Sequence, residues 1–173
     1  KAAVLDLSFN PFNDNLIASA SEDCYARVWN IPDGGLTESL TEPVQTLIGH
    51  KRKVGNCEFH PQANNVLVTT AGDYKVKLWD ISTGDCKFDI PGHKEIIQSV
   101  AWNHKGDLLA TTSKDKQTRV FDPRSGECIS QVQAHVGVKG SRVIFLGEKE
   151  KLFTIGFGRS SDRQFSIWDP RNM

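Results

Sequence analysis

Residues 49–80 read GHKRKVGNCEFHPQANNVLVTTAGDYKVKLWD. Four markers stand in this stretch: Gly49-His50 at its start, Thr69 in an apolar run, Asp73 after a glycine, and Trp79-Asp80 at its end. Sliding the sequence by 50 positions lays it on the opening of the chain, with Phe9 on Phe59, Pro11 on Pro61, Asp23 on Asp73 and Trp29 on Trp79. A third copy carries Gly92-His93, Asp115 and Phe121-Asp122, and a fourth carries Ala134-His135, Asp162 and Trp168-Asp169. In every copy the Asp stands six residues before the aromatic: 23 and 29, 73 and 79, 115 and 121, 162 and 168.

Each copy reads as strands separated by turns. In Val4–Phe9 the residues Leu5, Leu7 and Phe9 share one face, the period of an extended chain. A turn at Asn10–Asn15 follows, then strands at Leu16–Ala20 and Tyr25–Trp29 around a tight turn at Ser21–Asp23. A fourth strand is expected near Val44–Ile48. No segment has a convincing helical period. Each copy is therefore expected to be one four-stranded antiparallel sheet.

The recurring Gly-His and Trp-Asp pairs resemble the signature of WD repeats, whose period is about 40–45 residues. The expected fold is an all-β, WD-repeat β-propeller. The repeats place four blades at approximately 1–48, 49–91, 92–133 and 134–173. Lys1 stands just after an expected Gly-His, and Met173 comes before a last strand could form. The reading therefore expects about fifteen strands, an incomplete set of about four four-stranded blades from a ring of about seven.

The resemblance implies a hydrogen-bonded set inside each blade, made of a His, a Ser or Thr, an Asp and a Trp. The matching residues are Ser19, Asp23 and Trp29; His50, Thr69, Asp73 and Trp79; His93, Thr111 and Asp115; and His135, Asp162 and Trp168. Phe121 lacks an indole N–H, so its copy is expected to keep only packing at that point. Gly158 stands where the fourth copy's Ser or Thr is expected, which would loosen that blade. A buried polar group without a partner costs more than one hydrogen bond gives, so this set reads as structural.

Catalytic and ligand readings fail on the same repetition. A Ser-His-Asp triad is one assembly in one cleft, whereas this set recurs in every copy. His50, His93 and His135 hold equivalent places in different blades and cannot share a metal ion. Gly156-Phe157-Gly158 is half of a phosphate-loop pattern, but no helix follows it. The expectation is a non-enzyme with no cofactor and no metal.

Composition agrees with a binding protein of balanced charge. The chain has 173 residues, 38% hydrophobic, with 21 basic and 21 acidic side chains. Neutrality argues against nucleic acid or an anionic membrane as the main partner. No apolar run reaches the length of a membrane span. Cys24, Cys57, Cys86 and Cys128 stand far apart, without a Cys-x-x-Cys pair, and read as reduced, buried or half-buried thiols of the cytosol.

Three segments carry a narrower resemblance. They are Asn10–Cys24 continuing through Val28–Leu36, Gly49–Gly55, and Ser160–Gln164. Together they resemble the propeller of the coronins, with Ser21-Glu22-Asp23-Cys24 and Ile31-Pro32-Asp33-Gly34-Gly35-Leu36 as the characteristic pieces. Trp29 lies 21 residues before His50, whereas Trp79 and Phe121 each lie 14 before the next His. The seven extra residues make a long loop, which on a rigid scaffold suits either specificity or a tolerated insertion.

The resemblance implies a cytoplasmic protein of the actin cytoskeleton at the cell cortex. It would bind filamentous actin and organise filaments. Through regions absent from this chain it would also meet the branched-actin nucleating complex and oligomerise by a coiled coil. The alternative is a general WD-repeat adaptor that holds peptides on one rim.

Loop order sorts the charges. Loops between blades and between second and third strands share one rim, which carries Lys1, Lys51, Arg52, Lys53, Lys94, Lys114, Lys116, Lys139, Arg159 and Arg163. The opposite rim carries most of the acids, among them Asp14, Asp33, Glu38, Asp85, Glu127 and Glu148. The basic rim is the candidate actin contact, with Lys51-Arg52-Lys53 as its sharpest cluster; an ordinary solvated loop is the plain alternative.

Overall fold

The computed structural model describes residues 2–173, so Lys1 lies outside the described residues. Its strands follow the alternation read above. The first sheet is β1 (Val4–Phe9), β2 (Leu16–Ser21), β3 (Ala26–Asn30) and β4 (Gln45–Leu47). The second is β5 (Val54–Phe59), β6 (Val66–Ala71), β7 (Val76–Asp80) and β8 (Asp85–Ile90). The third is β9 (Ile97–Trp102), β10 (Leu109–Ser113), β11 (Gln117–Phe121) and β12 (Cys128–Gln133). The fourth has three strands, β13 (Arg142–Phe145), β14 (Leu152–Phe157) and β15 (Arg163–Trp168). Each is an antiparallel meander in chain order, and the architecture is an all-β propeller arrangement. One 3-10 turn, Gly147–Lys149, is the only helical element among the described residues.

The tight turns between second and third strands explain the recurring Asp. One residue past it the backbone takes a left-handed conformation, at Cys24, Tyr74 and Lys116 (φ 72°, 66° and 69°). The Asp carboxylate steadies that turn by accepting the N–H two residues on, from Tyr25, Lys75 and Gln117.

The first strands of successive sheets, β1, β5, β9 and β13, lie side by side. Side chains latch them together. Asp6 accepts the Cys57 N–H at 3.0 Å and Ser8 that of Phe59 at 3.3 Å. Ser99 accepts the Val143 N–H at 3.3 Å. Between the sheets lie three apolar layers. Ala18, Val28, Val54 and Trp79 belong to the first, Val68, Ile97 and Phe121 to the second, and Ala110, Val120 and Leu152 to the third. Burying the larger of these side chains contributes about 1.5–3 kcal/mol each. Polar turns take the rims because the backbone there must meet water.

Two details differ from expectation. The fourth strand of the first sheet is only Gln45–Leu47, although the Val44 N–H before it still donates to Val28 O at 2.9 Å. Cys57 is buried and Cys24 half-buried, but Cys86 and Cys128 are exposed, since β8 and β12 are the outermost strands of their sheets. All four thiols are free.

Candidate functional site

The hydrogen-bonded sets differ from sheet to sheet. In the second, the Trp79 indole N–H donates to Thr69 Oγ1 at 2.8 Å, and Thr69 Oγ1 lies 2.7 Å from His50 Nε2. His50 Nδ1 lies 3.0 Å from Asp73, which also accepts the Lys51 N–H at 3.0 Å. The Asp73 carboxylate only accepts, so His50 carries its ring proton on Nδ1 and Nε2 accepts the Thr69 hydroxyl. The Nδ1 proton then points at the carboxylate. Burial pushes the His50 pKa down, although Asp73 partly opposes it. For Asp73 burial alone would raise the pKa; the bonds from Lys51 and His50 outweigh it, and the carboxyl is held low.

The first sheet keeps Trp29 on Ser19 at 2.9 Å, and Asp23 pairs with Arg27 at 2.8 Å. In the third, Thr111 meets His93 Nε2 at 3.2 Å, but Asp115 does not reach His93. Arg119 stands between them, 3.2 Å from His93 Nδ1 and 2.8 Å from Asp115. Burial, then the Arg119 charge, pushes the His93 pKa down to about 4. A basic residue four places after the Asp recurs at Arg27, Lys77 and Arg119, and that spacing is the signal that would have disclosed it.

In the fourth sheet two expectations are corrected. Gly158 does not leave the set without a hydroxyl: Thr154 supplies it, accepting the Trp168 indole N–H at 2.9 Å and meeting His135 Nε2 at 3.0 Å. Asp162 does not join the set. It is exposed and accepts from Gln164 at 2.7 Å, while His135 Nδ1 is buried without a partner. The reason is a longer hairpin. Thr69 precedes Asp73 by four residues, whereas Thr154 precedes Asp162 by eight. Counting 19 residues from the histidine, as from His50 to Thr69, would have found Thr154.

These sets hold each turn against the preceding inter-blade loop, and so build the rim. Gly72 donates its N–H to Lys53 O at 2.9 Å, Lys114 to Ile96 O at 2.9 Å and Gly137 to Phe157 O at 2.7 Å. Lys51, Arg52 and Lys53 are exposed in the loop before β5, and Lys94 in the loop before β9. Lys114 and Lys116 stand in the β10–β11 turn, Arg159 in the β14–β15 turn, and Arg163 opens β15. Lys114 and Lys116 meet Lys139 around one hollow, whereas Arg163 lines a separate apolar hollow with Phe153, Phe165 and Arg142. Among the described lysines and arginines named on this rim only Lys53 has an acidic partner, Glu22 at 3.9 Å. The opposite rim is internally paired through Lys87–Asp85, Lys151–Asp169 and Lys105–Glu150. Among the described residues no cluster of three His, Cys, Asp or Glu side chains could hold a metal ion, and no helix is long and apolar enough to cross a membrane.

The pattern of the family "WD domain, G-beta repeat" matches residues 1–30, 41–80 and 84–122. Coronin-A of Dictyostelium discoideum is 52% identical over 171 residues, covering 99% of this chain and 38% of that protein. The Coronin-like protein of Saccharomyces cerevisiae is 40% identical over 99% of this chain and 28% of its own length. Human Coronin-2A is 41% identical over 98% of this chain and 33% of its own length. The crystal structure of the WD40 domain of Toxoplasma gondii coronin superposes with a TM-score of 0.95 at 33% identity, over 99% of this chain and 45% of that one. The chain thus spans about a third of the length of these full-length relatives. It belongs to the WD-repeat family, and its homologues within that family are coronins.

Proposed function

We propose that this chain is an actin-filament-binding scaffold segment of the coronin type, without catalytic activity, acting in the organisation of the cytoplasmic and cortical actin cytoskeleton. The units 1–48, 49–91, 92–133 and 134–173 act in this reading as blades of one arc, within a ring of about seven. The observation that carries it is the charge asymmetry of the rims. One rim presents Lys51, Arg52, Lys94, Lys114, Lys116, Arg159 and Arg163 to solvent without acidic partners among the described residues. The other neutralises many of its charges internally. An acidic filament surface would meet the first rim, with charge mainly steering encounter and register. Partners such as the branched-actin nucleating complex, and oligomerisation by a coiled coil, belong in this reading to other regions of the full-length protein.

The test is filament co-sedimentation of the full-length protein at two salt concentrations, with and without Lys51→Glu, Arg52→Glu and Lys53→Glu together. Binding should weaken in the variant, and wild-type binding should weaken with salt as exposed charges are screened. Unchanged binding by the variant at low salt rejects the reading.

A further inference from the structure

Where the third and fourth sheets meet on the basic rim, Lys114, Lys116 and Lys139 line one small hollow with Ser113, Ser141 and His135. The three lysines come from two loops, the β10–β11 turn and the segment before β13, so the fold and not the local sequence gathers them. All three are exposed. None has an acidic partner within salt-bridge distance among the described residues. Asp115, the nearest acid in sequence, is spent on Arg119 at 2.8 Å. Glu95 contributes its backbone carbonyl, which accepts the Ser113 hydroxyl at 3.1 Å. Lys139 lies 4.9 Å from the Phe157 ring centre, which holds its ammonium near the fourth sheet's turn.

A second, independent feature points the same way. The Trp168 indole donates to Thr154 Oγ1, which also lies 3.0 Å from His135 Nε2. In the second sheet the other ring nitrogen, Nδ1 of His50, meets the Asp73 carboxylate at 3.0 Å. Here Nδ1 has no hydrogen-bond partner among the described residues, and His135 is only 6% exposed. Gln164 donates its side-chain N–H to Asp162 at 2.7 Å and so holds that carboxylate. Burial pushes the His135 pKa down, with Gln164 and Thr154 opposing. The junction therefore collects positive charge and lacks the carboxylate that its sister blade supplies.

We propose that this junction is a binding site for a phosphate dianion, held by Lys114, Lys116 and Lys139 above His135. A single carboxylate would leave most of the lysine charge unanswered, whereas a phosphate offers two charges and three acceptor oxygens. The hollow has room for about one water (10 Å³), so the anion caps it. The source is either free inorganic phosphate or the phosphate of a phosphorylated side chain. The site stands without the filament reading, because its occupancy is measured with no actin present.

The test follows the His135 imidazole and the amides of residues 113–116 and 137–141 by NMR in the full chain. Inorganic phosphate and O-phosphoserine are titrated separately at constant ionic strength set by chloride. Saturable shifts with a dissociation constant on the order of 1 mM are expected for phosphate. The exposed pair Lys116→Glu and Lys139→Glu should weaken binding at least about tenfold with an unchanged thermal melt. Lys149→Glu on the opposite rim should leave it unchanged. Saturation by both probes supports a site that also seats a phosphorylated side chain; saturation by phosphate alone supports a site for the free ion. Shifts that stay linear, or that saturate equally in the double variant, overturn the proposal.

Discussion

In the second sheet His50 is held on both ring nitrogens, by Thr69 and by Asp73; in the fourth, His135 keeps Thr154 and has no carboxylate. Both copies carry an Asp six residues before a Trp, and both strand pairs keep the same register, Leu67 opposite Trp79 and Leu152 opposite Trp168. The difference is four residues of hairpin, which carry Asp162 out to solvent. The hydroxyl in mid-strand is fixed by sheet pairing, whereas the carboxylate depends on turn length. A closed set makes a rigid structural joint. An open one leaves a ring nitrogen without a partner beside lysines from the neighbouring blade.

The sharpest way to break this comparison is at the hydroxyl. Thr69 is fully buried and serves both Trp79 and His50. Thr69→Val should cost about 3 kcal/mol by denaturant unfolding, since it strands two buried polar groups. Thr154→Val should cost about half as much, because Trp168 is only half-buried. Equal losses would mean that the two sets are energetically the same.

The pH dependence sharpens it next. The folded pKa of His93 lies at about 4, below its ordinary 6.5. Between those values the unfolded chain binds the proton and the folded chain does not. Stability should fall as pH drops from 6.5 to 4, by roughly 2–3 kcal/mol. Glu58 works in the opposite direction. Burial raises its pKa from 4.5 to about 7, against a bond from the Trp102 N–H and with the Asp6 charge adding to the rise. Its protonated form is favoured by folding, so its contribution is lost as pH rises from 4.5 through 7. Glu58→Gln should therefore steepen the acid loss seen in thermal melts between pH 6.5 and 4.5; a flatter profile contradicts the assignment.

The smallest effects lie at the carboxylates. Asp73→Ala should cost about 2 kcal/mol, and Asp162→Ala less than about 0.5. Deleting Gly158–Ser161 restores the four-residue spacing from Thr154 to Asp162. In that background Asp162→Ala should become as costly as Asp73→Ala, read again from unfolding midpoints.

Much of this was legible in the residues. The alternation of Val4–Phe9 marked β1 to the residue, and the repeated His, Asp and Trp marked the propeller. Thr154 is hidden because Gly158 stands ten residues before Trp168, where the shorter hairpins carry the hydroxyl. Arg119 shows in the sequence only through its four-residue spacing from Asp115; its place beside His93, 26 residues away, is a tertiary fact. The gathering of Lys114, Lys116 and Lys139 is likewise a tertiary fact; the loops that carry them meet only once neighbouring sheets pack.

The central claim is that the basic rim, and not the opposite one, meets the filament. Two triple charge reversals in the full-length protein test it side by side by actin co-sedimentation at low salt. One changes Lys51, Arg52 and Lys53 to Glu; the other changes the exposed Asp14, Asp33 and Glu127 to Lys. The first should weaken binding about tenfold or more and the second should preserve or strengthen it. Loss in the second variant with retention in the first would contradict the account.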